Sequence, residues 1–165
     1  MAELLVMRHG KSDWSTGQVD FDRPLSPRGH KDAPRMAEWL TDNDLHPDAV
    51  LTSAAHRALT TAQHVADHVG LDGDDVDVRD ELYLASAQNW VDTLQERDHV
   101  GRLLICGHNP GLDMLVDHLA GGDVELTADG KLMTTAAIAH FIVEDWQQLR
   151  PDATTFVQLV RPKHL

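Results

Sequence analysis

The chain has 165 residues, of which 42% are hydrophobic and 25% are charged. This length fits one domain with a sizeable core, and the composition excludes wholesale disorder. The net charge of -13 argues against nucleic acid and anionic membranes as partners. A phosphate-binding site in such a chain therefore needs a local cluster of positive charge.

The single cysteine, Cys106, excludes an intrachain disulfide and a zinc thiolate cluster. Its place in the apolar run of residues 103–106 predicts a small buried side chain. No stretch has the length of a membrane-spanning helix, and the first residues lack the pattern of a signal peptide. We therefore expect a cytoplasmic protein that does not bind membranes.

Short apolar runs and helical patterns alternate along the first two thirds of the chain. Residues 4–7 form a continuous apolar run that predicts a strand buried on both faces. Residues 11–25 are polar and predict a loop. Ser26 and Pro27 then have the pattern of an N-cap and a first helical position.

The later elements are predicted by the same patterns. In chain order they are a strand at 48–52, a helix closed by Gly70, a strand at 76–79, a helix capped by Ser86, a strand at 102–106, a helix over 112–119, and two strands at 136–143 and 154–160. We find no repeat or linker, so residues 1–165 are predicted to form one domain. Strands alternating with helices predict an α/β fold, a three-layer α/β/α sandwich around a mostly parallel sheet.

Three polar segments directly follow predicted strands. Arg8 and His9 precede Gly10, Arg57 lies in the first turns of a helix, and His108 precedes Asn109-Pro110. The carboxyl ends of parallel strands meet at one edge of a sheet, where ligands bind. Neutral imidazole is a nucleophile toward phosphorus, and guanidinium binds phosphate oxygens in bidentate fashion. The pattern therefore predicts a phosphate site. Ser53, before the second helix, is predicted to be an ordinary N-cap.

These segments together resemble the histidine phosphatase superfamily, which has the phosphoglycerate-mutase-like fold. The resemblance is carried by Arg8-His9-Gly10, residues 53–62 and residues 107–111, in the same order along the chain. The short length, the segment 22–29 and the sequence Gly-His-Asn-Pro-Gly are similar to the small SixA-type phosphohistidine phosphatase branch. The similarity extends from about Glu3 to Leu119.

The resemblance implies a role for each matching residue. His9 takes the place of the histidine that is phosphorylated, and Arg8, Arg57 and His108 take the places of the residues that hold the phosphoryl oxygens. Ser12 and Ser15 are further candidates for phosphate binding, although larger relatives often carry Asn at the position of Ser15. Because side chains supply the positive charge, we expect no metal and no other cofactor.

The proton donor for the leaving group is a separate question. Glu81 follows a predicted strand and is the candidate general acid, with Asp80 as the alternative. A solvated acidic turn explains the same residues equally well. A phosphohistidine substrate needs such an acid less, because imidazole is a better leaving group than an alkoxide.

The sequence leaves several functions open. The first is a monomeric phosphatase that acts on phosphohistidine of a phosphotransfer protein. The alternatives are a phosphatase for a small phosphate ester with Glu81 as acid, a mutase, and a non-catalytic phosphate-binding module. His64 and His68, four residues apart on one helix, suggest a metal-binding protein but also fit a solvated helix face.

Overall fold

The structure is a computed structural model that describes residues 1–96 and 101–165. Its six-stranded sheet is formed by β1 (Ala2–Arg8), β2 (Ala49–Ser53), β3 (Val76–Arg79), β4 (Arg102–Gly107), β5 (Ile138–Val143) and β6 (Thr154–Val160). The α-helices of these residues are α1 (Pro27–Asp42), α2 (His56–Val69), α3 (Ala87–Gln95) and α4 (Gly111–Leu119). Short 3₁₀ turns lie in several of the connections.

The strand order is β3-β2-β4-β1-β5-β6. The first four strands in this order are mutually parallel, whereas β5 pairs antiparallel with both β1 and β6. The predicted α/β fold with a mostly parallel sheet is therefore confirmed. The strand-rich last third of the chain supplies the antiparallel edge.

The helices cover both faces of this sheet. Side chains alternate along β1, so that Leu4 and Val6 face one hydrophobic core and Leu5 and Met7 face the other. The core on the side of Leu4 contains the inner faces of α3 and α4, with the fully buried Trp90 between them and the sheet. The core on the side of Leu5 contains the inner faces of α1 and α2. Three layers result, as predicted.

Three predicted helix ends, at Ser26, Gly70 and Ser86, are found where the sequence placed them. The Ser26 hydroxyl accepts a hydrogen bond from the Gly29 amide at 3.2 Å, with Pro27 at the first helical position. The Ser86 hydroxyl caps α3 in the same way. Gly70 ends α2 with a φ of 80°, which a residue without a side chain adopts easily.

Cys106 lies within the sheet with its side chain fully buried. Burial raises the pKa of its thiol to about 12, so the thiolate that would act as a nucleophile is not formed. The predicted packing role of Cys106 is thus confirmed. Within residues 1–96 and 101–165, no helix combines the length and the apolar character needed to cross a membrane.

Candidate active site

The carboxyl ends of β1, β2 and β4 lie side by side because of the strand register. Arg8 at the end of β1 is level with Gly107 at the end of β4, and Thr52 near the end of β2 is level with Cys106. The segments that follow these strands therefore meet at one edge of the sheet. This is the edge at which the sequence predicted a phosphate site.

His9 directly follows β1 and is only 6% exposed. Its backbone amide donates to the Gly107 carbonyl at 3.1 Å, which extends the pairing with β4 by one residue. Its Nδ1 lies 2.8 Å from the carbonyl oxygen of Gly10. A carbonyl can only accept, so the neutral ring carries its proton on Nδ1. Nε2 then has a free lone pair, and it has no hydrogen-bond partner in the part of the chain that the structure describes.

The electrostatic surroundings of His9 favour the neutral ring. Burial lowers its pKa to about 3, and the charges of His108, Arg8 and Arg57 act in the same direction. The hydrogen bond to Gly10 opposes this shift but does not cancel it. His9 is therefore an uncharged imidazole throughout the neutral range, which is the form that attacks phosphorus.

Two guanidinium groups lie beside this imidazole. Arg8 donates from Nη1 to the Met133 carbonyl at 3.1 Å. Arg57, in the first turn of α2, is 3% exposed and donates from Nη1 to the Asp20 carbonyl at 2.6 Å and from Nη2 to the Asp20 carboxylate at 3.1 Å. The Nε atoms of both arginines are buried and have no partner among the described residues. Both side chains therefore retain hydrogen-bonding capacity for an anion.

His108 follows β4 and completes the group. Its ring centroid is 5.2 Å from that of His9, and its Nε2 pairs with the Ser53 hydroxyl at 2.8 Å. Burial, with the charge of Arg57 in second place, lowers the pKa of His108 to about 4, and Asp20 opposes this shift. The buried Nδ1 of His108 has no partner within the described residues. It is a further position at which a ligand oxygen can be bound.

The prediction for Ser53 was wrong. The helix α2 begins at His56 with Ala55 at the N-cap, so Ser53 lies too early to cap it. The Ser53 hydroxyl instead accepts from the Ala55 amide at 3.2 Å and pairs with His108. It therefore orients the ring of His108, a role that no local sequence pattern indicates.

A loop between β1 and α1 brings Asp20 and Arg23 to the site. Arg23 donates to the Asp20 carboxylate at 2.5 Å and from Nε to the Ser12 hydroxyl at 3.0 Å. The Tyr83 hydroxyl also donates to Asp20, which makes this carboxylate the acceptor for three side chains. The hydrogen bond from Tyr83, followed by those from Arg23 and Arg57, keeps the pKa of Asp20 far below its ordinary value. Asp20 is therefore ionised beside Arg57.

Sequence reasoning gave no role to Asp20, Arg23 or Tyr83. Arg23 was part of the segment that carried the resemblance, but no chemistry was assigned to it. A basic residue in a polar loop after the Arg-His-Gly segment was the one available signal. The partners of these side chains lie up to 63 positions away along the chain.

A cavity of about 170 Å³ opens at this edge of the sheet. The residues that line it are Arg8, His9, Lys11, Ser12, Trp14, Arg23, Arg57, Leu84, His108, Asn109 and Thr135. The structure thus brings together Arg8, His9, Ser12, Arg57 and His108 of the predicted site. None of the described lining residues is an Asp or a Glu.

Ser15 and Glu81 are not part of this cavity. The Ser15 amide and hydroxyl both donate to the Asp13 carboxylate, at 2.9 and 2.6 Å, within an exposed turn. Glu81 is exposed and its carboxylate lies 3.8 Å from Arg79. The alternative acid, Asp80, is exposed as well and does not line the cavity. The structure therefore supports neither Ser15 as a phosphate ligand nor these carboxylates as proton donors.

His64 and His68, the pair considered for metal binding, lie four residues apart on α2, as predicted. His64 pairs with Nδ1 of His30 on α1 at 3.0 Å, while His68 is exposed. The described residues contain no group of three or more side chains that could hold a metal ion.

Comparisons with known proteins identify the family. A sequence model of the histidine phosphatase superfamily (branch 1) matches residues 4–84, which include Arg8, His9 and Arg57. An uncharacterised protein of Mycobacterium tuberculosis is 30% identical over 165 residues, which cover 95% of this chain and all of that protein. The chain belongs to the histidine phosphatase superfamily.

Two solved SixA structures have the same fold as this histidine phosphatase. The protein histidine phosphatase SixA in complex with tungstate is 26% identical, with a TM-score of 0.80 and 98% of both chains covered. A SixA structure from Agrobacterium tumefaciens has a TM-score of 0.83 at 24% identity, again covering 98% of both chains. The family and the SixA structure with tungstate support a phosphatase.

A mutase is also among the relatives of the chain. The 2,3-bisphosphoglycerate-dependent phosphoglycerate mutase of Mycobacterium leprae is 35% identical over 132 residues. This match covers 77% of the present chain but only 45% of the mutase.

Proposed function

We propose that the protein removes the phosphoryl group from phosphohistidine on a phosphotransfer protein, with His9 as the covalent nucleophile. The observation that carries this proposal is the neutral, buried His9, whose Nε2 is free in a cavity that also contains Arg8, Arg57 and His108. The likeness to the protein histidine phosphatase SixA supports the substrate class.

In the first step, Nε2 of His9 attacks the phosphorus atom and the bond from phosphorus to the substrate imidazole breaks. The hydrogen bond from Nδ1–H to Gly10 stabilises the positive charge that develops on His9. The two guanidiniums neutralise the charge on the equatorial oxygens of the transferring group, and Nδ1–H of the uncharged His108 donates a hydrogen bond to one of them. One P–N bond replaces another, so the reactants and the products of this step are close in free energy.

In the second step, water attacks the phosphorus atom of phospho-His9. The bond to Nε2 breaks, inorganic phosphate leaves, and His9 returns to its neutral form. The water gives one proton to the products or to bulk solvent. The net reaction is the hydrolysis of phosphohistidine to histidine and phosphate.

The composition of the cavity favours phosphohistidine over an alkyl phosphate. An alkoxide leaving group requires a proton donor, and general acid catalysis contributes about 10²–10⁴-fold. None of the described residues that line the cavity is a carboxylic acid. A substrate imidazole that carries a proton on its other nitrogen leaves as a neutral group and needs no such acid.

The rim of the cavity suits a protein substrate. Trp14 and Leu84 line the cavity and are 72% and 54% exposed. The backbone of Leu84 has a φ of 52°, a conformation that is unfavourable for a leucine. Leu84 thus has an exposed apolar side chain on an unfavourable backbone conformation, and this supports a contact surface for a partner protein.

The covalent step can be tested with labelled substrate. Wild-type protein should give an acid-labile, base-stable phosphoryl adduct that maps to His9, and His9→Ala should give neither adduct nor turnover. His118→Ala, which changes an exposed histidine on α4, is the matched control and should behave like the wild type. Substantial turnover by His9→Ala would contradict the mechanism.

The substrate class is tested with a panel of three substrates, namely a protein with phosphohistidine, phosphoserine peptides and small phosphate esters. We expect phosphohistidine to have the highest kcat/KM. Activity should survive EDTA, because side chains supply the positive charge of the proposed site. A preference for a small ester, or activity lost on chelation and restored by Mg²⁺ or Zn²⁺, would contradict the proposal.

A further inference from the structure

A second cavity, of about 310 Å³, lies next to the proposed active site. The two cavities share Arg8, Lys11 and Thr135 in their walls. The second cavity extends from these residues toward the C-terminal part of the chain, where Lys131 and Lys163 line it. We call this second cavity the basic groove. A protein substrate whose phosphoryl group is at His9 can therefore place a neighbouring segment in the groove.

The basic groove concentrates positive charge in an acidic protein. Its walls contain Lys11, Lys131 and Lys163, three of the four lysines in the sequence, together with Arg8 and Arg28. Among the described residues that line it, Asp129 is the one carboxylate. The whole chain has 27 acidic residues and a net charge of -13. The groove, with five basic residues and one acidic residue among those that line it, therefore has the opposite charge to the chain as a whole.

Most of this charge is available to a ligand. Neither Lys11 nor Lys163 forms an ion pair within the part of the chain that the structure describes. Lys131 lies 3.5 Å from Asp129 and Arg28 lies 3.4 Å from Asp32, but both basic side chains are about two-thirds exposed. Ion pairs with that exposure contribute little, so an incoming anion can replace them.

The arrangement of the cations indicates the kind of anion. They come from separate elements: Lys11 from the loop after β1, Arg28 from the first turn of α1, Lys131 from the segment before β5, and Lys163 from the turn after β6. They are exposed side chains spread along a groove, not buried donors that converge on one point. Such a surface matches several carboxylates on a polypeptide better than one compact small anion.

We propose that the basic groove binds a carboxylate-rich segment of the protein that carries the phosphohistidine. This inference rests on the proposed function, because the phosphoryl group must be at His9 while the acidic segment is in the groove. The groove thereby selects histidine-phosphorylated proteins with acidic residues near the modified histidine. It also attracts such partners to a positively charged part of a protein whose net charge is -13.

The test uses two histidine-phosphorylated peptides that differ in one respect. One has three glutamates beside the phosphohistidine and the other has three glutamines. At low salt we expect the wild type to have a KM about tenfold lower for the glutamate peptide, with similar kcat. In the double variant Lys131→Gln/Lys163→Gln this preference should disappear, while kcat and the hydrolysis of free phosphohistidine stay unchanged. Lys31→Gln, an exposed lysine outside the groove, is the matched control.

Two results would overturn the proposal. One is equal KM values of the wild type for the two peptides. The other is a preference for the glutamate peptide that persists in the double variant, as it does when the double variant affects both peptides equally. A third result would do the same: if the double variant raised KM only for the small anion 3-phosphoglycerate, the groove would be assigned to a small molecule. If neither peptide is hydrolysed, the proposed function fails. The groove is then judged from the same pair of peptides carrying phosphoserine.

Discussion

Two buried histidines have pKa values well below the ordinary 6.5, about 3 for His9 and about 4 for His108. In the unfolded chain both rings regain ordinary pKa values, so the unfolded state takes up protons at a higher pH than the folded state does. Their contribution to stability is therefore complete above about pH 6.5 and is lost as the pH falls toward 3. The burial of these two rings therefore makes the fold sensitive to acid.

We accordingly expect the free energy of unfolding of His9→Gln to decrease less than that of the wild type as the pH falls. One such histidine weakens the folded state by about 2 kcal/mol between pH 7 and pH 5. Urea denaturation at the two pH values measures this difference for the wild type and for the variant. His118→Gln on the surface of α4 is the control and should keep the wild-type dependence. An unchanged dependence in His9→Gln would show that the imidazole of His9 is accessible to protons in the folded state.

Both terminal nitrogens of Arg57 donate to Asp20, so we expect Asp20 to compete with phosphate for this guanidinium. In Asp20→Asn the negative charge is removed, and we expect inorganic phosphate to inhibit at roughly fivefold lower concentration. Asp22→Asn changes an exposed carboxylate of the same turn and should leave inhibition unchanged. Weaker inhibition of Asp20→Asn would instead mean that Asp20 holds Arg57 in the position that binds phosphate.

At the scale of single residues, the sequence predicts those side chains that follow a strand in a recognisable segment. Arg8, His9, Arg57 and His108 are of this kind. Ser53 and Asp20 are not, because their partners lie 55 and 37 positions away and no short pattern encodes the pairing. For Glu81 the sequence left a general acid and a solvated turn equally open, and the structure places its carboxylate on the surface, 3.8 Å from Arg79.

At the scale of elements, α1 packs closely against the segment after β1, and the closest approach is at Gly29. A Cβ at this position would lie 2.2 Å from the Lys11 carbonyl oxygen, a distance that real side chains do not show. Gly29→Ala should therefore force α1 away from the segment that follows His9. We expect a loss of about 1–3 kcal/mol in unfolding free energy together with lower kcat.

Gly73→Ala is the matched control for this substitution, because a Cβ at Gly73 meets no atom within 4 Å. Chemical denaturation and steady-state kinetics of both variants provide the measurement. Full stability and activity of Gly29→Ala would show that the first turn of α1 shifts at no cost.

The elements themselves were largely predictable because their signals are local. Apolar runs, the caps at Ser26 and Ser86 and the closing Gly70 each depend on a few neighbouring residues. The segment between α4 and β5 gave no such signal. Its Met133 carbonyl accepts hydrogen bonds from Arg8 and Asn109, so a stretch without regular structure completes the site.

At the scale of the whole molecule, two hydrophobic cores share one sheet. Leu115 on α4 belongs to one core and Met36 on α1 to the other, and both are fully buried. Each strand of the sheet's centre contributes side chains to both cores, so neither can be lost without exposing the other face of the sheet. We predict that residues 1–165 unfold as one domain.

Denaturation followed by circular dichroism and by tryptophan fluorescence should therefore give coincident transitions. Leu115→Ala and Met36→Ala should each move the whole transition, with losses of about 2–5 kcal/mol. If the denaturation curve of either variant separated into two transitions, the two faces of the sheet would fold independently. The comparison is informative because the two substitutions lie on opposite sides of the sheet.

The backbone of the proposed nucleophile is held from both neighbouring strands. The His9 amide donates to the carbonyl of Gly107 at the end of β4, and the His9 carbonyl accepts from the amide of Ala136, which leads into β5. The ring itself is bonded to Gly10. A group fixed in this way loses little conformational entropy when a phosphoryl group arrives, so more of the binding energy is available to stabilise the transition state.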